Sequence, residues 1–429
     1  MLKRLLAFAG LSTVALVAHA DLFISTNENP SGSGKWYFTL PTGGGSSTQF
    51  NGFLNQWNSF PTGDLFNSPI ERLGFYWRTG SSQEWILGAN ANDIRLSEDN
   101  DGFPYAQNPK SVTFRSNHGL GSPQIEYKLT FKLTPVSGVL KQAILDIDWE
   151  IKNTSAGVRL GDFFILGDLV SRTNSLTSKG DDNFSYANGV GTFSGTNTPT
   201  VYFLSRTEPM AFEASGQPGE ASVPPVRGKL EDGAQSELAD AVVGSGARNW
   251  ALGFQFPIEL GPNGTTSGSL ALGLNILPKT VVRGNINRAD YDSSLDNRAV
   301  VIEIRPVGST SPVESHTVFP DSNGDFEFQT NRYGFWDIAA KGQHHLRQVA
   351  VNQQITASGV ANLTYAVTNG DVDGDNAVTI FDYIDLSTSF DLSAGDAGYN
   401  PNADLDGDTS VTIFDYIILS NEFDKSGQD

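Results

Sequence analysis

The stretch DVDGDNAVTIFD at 371–382 returns thirty-three positions later as DLDGDTSVTIFD at 404–415, and the letters VTIFDYI recur unchanged at 378–384 and 411–417. Each copy is a twelve-residue loop with aspartate at its first, third, fifth and twelfth positions. These are Asp371, Asp373, Asp375 and Asp382 in one copy, and Asp404, Asp406, Asp408 and Asp415 in the other. Alternating carboxylates of this kind fold around one point, where a hard divalent cation takes several oxygens at about 2.3–2.6 Å. The seventh position adds a backbone carbonyl, from Ala377 or Ser410. The ninth, Thr379 or Thr412, contributes its hydroxyl or holds a water. Gly374 and Gly407 let the chain turn sharply between ligands. With no cation, two carboxylates about 4 Å apart at an effective dielectric near 20 oppose each other by about 4 kcal/mol. The pattern therefore predicts two Ca2+ ions whose binding supplies much of the folding energy of this segment.

An amphipathic helix is expected after each loop, with Tyr383, Leu386 and Phe390 in the first and Tyr416, Leu419 and Phe423 in the second at i, i+3 and i+7. Val378 and Val411 are expected to point inward. No helix is expected before either loop, because ANLTYAVTNG precedes Asp371 as strand and turn and AGDAGYNPNA precedes Asp404 as a linker. A loop followed by a helix, without the entering helix, is half of an EF-hand. Two such units in tandem, over roughly residues 369–426, resemble the dockerin module in the style called type I. The resemblance implies two calcium ions and a cohesin-like or other surface scaffold protein as partner. It also implies a secreted protein, often a polysaccharide-degrading enzyme, joined to that scaffold.

Two departures from the family pattern stand out. Loop positions 10 and 11, usually small hydroxyl residues, are Ile380-Phe381 and Ile413-Phe414, and Ile418 follows Phe414 at i+4. Buried, these side chains are extra core; exposed, they form a duplicated apolar patch of the kind a partner covers. Position 6, usually glycine, is Asn376 in one loop and Thr409 in the other. Asparagine tolerates a left-handed backbone and threonine tolerates it poorly, so the second loop is expected to be the more strained.

Elsewhere the chain reads as exported and β-rich. Met1 to Ala20 has a basic start, an apolar run and Ala-His-Ala before Asp21, a signal-peptide pattern that predicts a secreted or cell-surface protein. Cysteine is absent, which excludes disulfides, thiol nucleophiles and Cys-ligated zinc. The histidines show no metal-ligand spacing, and the neighbours His344 and His345 read as a surface pair on opposite faces of a strand. The net charge of −20 is concentrated late, where thirteen aspartates and Glu422 between 371 and 429 face only Lys425. That distribution argues against nucleic acid as a partner and for a cation.

Residues 21–280 show short alternating runs broken by Gly, Asn and Ser, the pattern of a large β-sandwich. In LDIDWEIKN, Leu145, Ile147, Trp149 and Ile151 face one way and Asp146, Asp148, Glu150 and Lys152 the other. The stretch 215–228 reads as a long loop, followed by a helical turn within 229–240. Residues 281–368 hold about seven short strands, with a hairpin signal in DSNGDFEF at 321–328, and predict a small immunoglobulin-like sandwich. VVRGNIN, VIEIRPVGST, NGDFEF and GFWDIAAKG resemble the carboxypeptidase-regulatory-like, transthyretin-like module, which implies a structural spacer. The expected fold is thus mostly β, with a small helical calcium-binding unit at 369–429.

Candidate acids for chemistry in the large unit are the row Asp146, Asp148 and Glu150, with Glu126, Glu208, Asp162 and Asp168. A glycoside hydrolase needs two carboxylates flanking a cleft, whereas a row on one strand is explained by a solvated outer face. Trp36, Trp57, Trp77 and Trp85 would stack on sugar if exposed and fill the core if buried. Two functions follow. The first is a non-enzymatic surface component that docks through its tail and binds through its sandwich. The alternative is a glycan-active enzyme with its active site in residues 21–280 and polysaccharide as its ligand.

Overall fold

Strict alternation builds the core of the large unit. In the strand Ala143–Asn153, Leu145, Ile147, Trp149 and Ile151 are buried, while Asp148 and Glu150 on the opposite face are exposed. The computed structural model describes residues 22–25, 35–40, 56–60, 70–79, 85–86, 94–98, 110–116, 125–135, 142–169, 183–195, 200–217, 224–232, 234–288, 290–291, 298–360 and 362–429. The segment 1–20, read as a signal peptide, lies outside these residues. The fold is mostly β, as expected, in largely antiparallel sheets with three short helices among the described residues. No helix among them is long and apolar enough to cross a membrane.

An eight-stranded sheet runs in the order Asn183–Ala187, Val190–Ser194, Val201–Ser205, Thr265–Leu274, Ala143–Asn153, Ile125–Pro135, Lys110–Ser116, Ile94–Glu98. A six-stranded sheet runs Ala241–Val243, Ala211–Gln217, Asn249–Leu260, Arg159–Leu169, Ile70–Arg78, Trp85–Ile86. Their facing residues form one core, in which the Trp149 ring lies 4.9 Å from Phe163 and 5.3 Å from Phe256. The next strand passes Trp149 at Gly268, where any Cβ would come within 2.4 Å of the indole. Trp77 belongs to the same core. The side chains of Trp36, Trp57 and Trp85 lie outside the described residues.

The outer face of the six-stranded sheet is covered by helix α1, Pro225–Glu231, which seats Val226 and Leu230 on Tyr76, Phe164 and Leu166. This corrects the expected order of loop and helical turn. The helix begins inside the stretch expected to be a loop, because proline at the first helical position presets φ and lacks only a donor that would be unpaired there. Residues 211–217 extend the sheet before it.

Seven strands between Thr280 and Ala366 form a three-stranded sheet (Asp325–Thr330, Thr280–Asn287, Leu363–Ala366) and a four-stranded one (Glu314–Val318, Val300–Arg305, Gly334–Gly342, Gln348–Ile355). Val282, Ile302, Ile304, Phe326, Ile338 and Tyr365 meet between them. The Asn-Gly turn forms, with Gly324 at φ +83° and Asp321 Oδ1 accepting from Asn323 N at 2.8 Å. It does not make the expected hairpin, since the strands on either side of it lie in different sheets. Phe326 and Phe328 are buried by pairing their strand with Thr280–Asn287, which turns the connection into an arch between layers.

The chain ends in two short helices, α2 (Ile380–Thr388) and α3 (Ile413–Glu422), around Val372, Val378, Leu386, Ala403, Leu405, Val411 and Leu419. Leu346 of the small sandwich enters the same cluster. Replacing Trp149 by alanine is expected to remove about 3–5 kcal/mol of unfolding free energy. Urea denaturation followed by core tryptophan fluorescence would show it as a lower midpoint at unchanged slope.

Candidate metal centre

Each loop is wound by its own backbone amides. Asp373 Oδ1 accepts from Asp375 N at 3.0 Å, and Asp375 Oδ1 accepts from Ala377 N at 2.9 Å. The second loop repeats this, with Asp406 Oδ1 accepting from Asp408 N at 3.1 Å and Asp408 Oδ1 from Ser410 N at 2.8 Å. The bonds pull alternate side chains to one side. One carboxylate oxygen from each of Asp371, Asp373 and Asp375 lies within 4.8 Å of the others, as does one from each of Asp404, Asp406 and Asp408.

The two units are related by a near two-fold arrangement. Val378 N donates to Lys425 O at 2.8 Å after α3, and Val411 N donates to Leu392 O at 2.9 Å after α2. Ala377 and Ser410, at the seventh position, form isolated antiparallel bridges to Ser426 and Ser393. The rings of Tyr383 and Tyr416 meet edge-on at 5.8 Å where the helices touch.

The twelfth-position aspartates and the ninth-position threonines do more local work than the sequence suggests. Asp382 Oδ1 accepts from Val372 N at 2.6 Å and Asp373 N at 3.1 Å, and its Oδ2 accepts from Thr379 N at 2.7 Å. Asp415 accepts in the same way from Leu405 N, Asp406 N and Thr412 N. Thr379 and Thr412 cap α2 and α3, accepting from Phe381 N and Phe414 N at 3.2 Å. Asp382 and Asp415 thus close a capping box and tie the start of each loop to its helix. They stand outside the two converging triplets.

The chemistry of the triplets fits a hard cation. Asp371 is fully buried, yet its Oδ1 has no hydrogen-bond partner, while its Oδ2 accepts from Lys341 Nζ at 2.5 Å and Asn376 N at 3.1 Å. A buried carboxylate oxygen left without a donor is costly unless a cation meets it. Burial, and after it the charges of Asp382, Asp375 and Asp371, push the Asp373 carboxyl above its ordinary pKa. Burial likewise raises Asp406, with Asp415, Asp408 and Asp404 adding to the shift.

The sixth position adopts the left-handed backbone in both loops, at φ +75° for Asn376 and +78° for Thr409. Asn376 gains from it, because its Oδ1 accepts from Arg347 N at 2.7 Å. Thr409 is β-branched, and the conformation strains it.

The four apolar residues at positions 10 and 11 all face solvent: Phe381 and Phe414 are each 63% exposed, and Ile380 and Ile413 are about half exposed. Ile418 is half-buried and packs on the small core. The expected helix stripe is corrected, since Tyr383, Phe390, Tyr416 and Phe423 lie outside and only Leu386 and Leu419 of each stripe are buried. Helix geometry explains it. The inward face must carry Asp382 or Asp415 to the loop amides, and Leu386 or Leu419 follows four residues later on that face.

The surface expectation for His344 and His345 is overturned as well. Both are buried where the small sandwich meets the tail, with His344 Nδ1 bonded to Asn369 Oδ1 at 2.7 Å and His345 bridged to Asn369. They follow the end of the strand Gly334–Gly342, so strand alternation does not apply. Burial holds His344 down to about 3 and His345 well below the ordinary imidazole range.

Sequence reasoning missed the supports around the loops. Lys341 comes from the small sandwich. Tyr399 donates its hydroxyl to Asp404 Oδ2 at 2.7 Å, and Asn369 Nδ2 donates to Leu405 O at 2.7 Å, linking the two loops. Asn369 and Tyr399 lie close to the loops in sequence, but nothing local marks them; Lys341 is thirty residues away.

The candidate acids of the large unit do not assemble a second site among the described residues. Asp146, Asp148 and Glu150 form a solvated row beside Lys132, Thr130 and Lys128, with Arg206 on Asp146 at 2.7 Å. Glu126 pairs with Arg115, and Glu208 bonds Ser358. Asp162 and Asp168 hold Arg78 and Arg227, each at 2.7 Å, beneath and within α1. That network also includes Glu237, which reaches Arg78 and Gln255 at 2.7 Å.

No family model matches the chain, and no curated protein matches it. Two interface mutants of a type II cohesin–X-dockerin complex from Acetivibrio cellulolyticus are similar in structure. Each is 25% identical with a TM-score of 0.29, covering 34% of this chain and 97% of theirs. A polysaccharide lyase is also similar, at 12% identity and a TM-score of 0.32, covering 84% of this chain and half of that one. Likeness at this level assigns no role to any residue here.

Replacing Thr409 by asparagine should relieve backbone strain of about 1 kcal/mol and raise the melting temperature in EDTA. The raised carboxyls of Asp373 and Asp406 set a second expectation. A group whose folded pKa lies above its unfolded value contributes stability that is present at low pH and lost as pH rises through the folded value. In EDTA, amide exchange in the loops should therefore be slower in mildly acid buffer than at neutral pH, after correction for the intrinsic rate. Added Ca2+ should reverse that order.

Proposed function

We propose that the chain is an exported modular protein whose last unit, residues 369–429, is a dockerin-type plug. In this reading it binds two calcium ions and docks on a cohesin-like surface scaffold. Residues 1–20 are the signal peptide, 21–280 a large sandwich presented for binding, and 281–368 a spacer. Asp371, Asp373 and Asp375 ligate one ion and Asp404, Asp406 and Asp408 the other. The carbonyls of Ala377 and Ser410 add to them, with Thr379, Thr412, Asp382 and Asp415 closing each loop.

The observation that carries this is the buried Oδ1 of Asp371, without a partner, in a converging carboxylate triplet whose arrangement is repeated around Asp404. The cation removes the repulsion within each triplet and fixes the helices that follow. Their outward faces then present the exposed pair Ile380 and Phe381 in one unit and Ile413 and Phe414 in the other, while Ile418 packs on the small core. Large exposed apolar side chains repeated in this way are what a protein partner covers. Among the described residues, the candidate acids of the large unit serve ion pairs or a solvated strand face, so this reading is preferred to the alternative of a glycan-active enzyme.

Calorimetric titration of the full chain with Ca2+ should resolve two sites, with Asp371→Ala and Asp404→Ala each deleting one. A heat trace without saturable binding would end the proposal. On immobilised type I and type II cohesins, the pair Phe381→Ser and Phe414→Ser should weaken calcium-dependent capture by at least about thirtyfold, as expected for apolar anchors worth about 2 kcal/mol or more.

A further inference from the structure

The two loops match in sequence, yet their first aspartates are held by different chemistry. Asp404 Oδ2 accepts from the neutral Tyr399 hydroxyl at 2.7 Å and from Thr409 N at 3.1 Å, and its Oδ1 accepts from Gly407 N at 3.0 Å. Its cationic neighbour, Arg298, stands 3.9 Å away and donates instead to Pro401 O. Asp371 is held by an ammonium. Lys341 Nζ lies 2.5 Å from its Oδ2 and also donates to His345 O at 2.8 Å and Gly342 O at 3.2 Å. Bonded to the turn that follows its own strand, that ammonium is fixed in place. Asp371 Oδ1 meanwhile is buried without a donor in the triplet with Asp373 and Asp375.

We propose that Lys341 lowers the calcium affinity of the first loop, and that calcium there in turn loosens the small sandwich's hold on the tail. The inference rests on the calcium reading above. A cation ligated by Asp371 shares one carboxylate with an ammonium already bound to it. Like charges on a shared, largely buried group repel with little solvent screening. Lys341 also orients the carboxylate, which helps binding, but the rotamer freedom so removed is worth less than about tenfold. Linkage makes the effect reciprocal: whatever factor Lys341 takes from calcium affinity, calcium takes from the Lys341–Asp371 contact. That contact belongs to the seam between sandwich and tail, where Asp371 N donates to His344 O at 3.1 Å and Leu346 N donates to Thr368 O at 2.7 Å.

The test uses the full chain carrying Asp404→Ala, so that Ca2+ titrates the first loop alone. Lys341→Gln, which keeps length and a donor but removes the charge, should tighten binding about tenfold. Lys341→Arg should stay within about twofold of the lysine form. Hydrogen exchange at the amide of Leu346, which lies outside the loops and bonds Thr368 O at the seam, should speed up when Ca2+ is added to the lysine form and stay unchanged in the glutamine form. Equal or weaker binding by the glutamine variant overturns the inference and leaves the calcium reading standing. Absence of saturable Ca2+ binding in the unsubstituted chain overturns both.

Discussion

Mutual repulsion among aspartates governs how the last unit is built. Six carboxylates converge in two triplets, and the chain answers with donors wherever its own backbone can supply them. Loop amides cap Asp373, Asp375, Asp406 and Asp408, while Asp382 and Asp415 each accept three amides at once. The helices inherit this constraint. Their inward faces begin with a carboxylate, so each helix has room for one large buried apolar side chain, Leu386 or Leu419. Ile380, Phe381, Tyr383, Ile384, Ile413, Phe414, Tyr416 and Ile417 are left outside, and Ile418 is only half-buried. An exposed apolar surface is thus a direct consequence of using the helix N-terminus to close an acidic loop.

The larger part of the molecule works by a different rule. Two sheets meet over an aromatic core in which Trp149 fits because Gly268 faces it, and among the described residues the charged groups lie on outer faces. Where those faces are covered, charges are paired. Arg78 spans Asp162 and Glu237, Arg227 meets Asp168, and Lys229 meets Glu213, together clamping residues 224–232 and 234–240 over the sheet. Removing one partner from such a pair leaves a charge poorly compensated, so packing accounts for these acids.

Short periodicities in the sequence carried most of this. The two-residue period around Trp149 located a central strand and its buried face, and the repeated loop located both triplets, but it did not show that Asp382 and Asp415 stand outside them in capping boxes. The sequence was less informative wherever one feature served two tasks. The seven-residue stripe of Tyr383, Leu386 and Phe390 has helical spacing, but spacing does not say that Asp382 competes for the inward face. An Asn-Gly turn specifies a reversal and not whether the strands around it share a sheet. The burial of His344 and His345 depends on the tail folding back over them, a contact between segments about twenty-five residues apart that no local pattern encodes.

That contact changes what kind of module the tail is. A plug joined by a free linker would fold and bind calcium by itself. Here Leu346 of the small sandwich completes the tail's core, Asn376 accepts from Arg347 N, and Gln428 N donates to Arg347 O at 2.9 Å. The sandwich supplies part of the hydrophobic cluster and part of the hydrogen bonding that so small a unit lacks. It also supplies the cation beside Asp371, so structural support and the charge at the first loop pass through one seam. If a cation binds the first loop as proposed, the sandwich must feel it, because the carboxylate that would meet the ion is the one that meets Lys341.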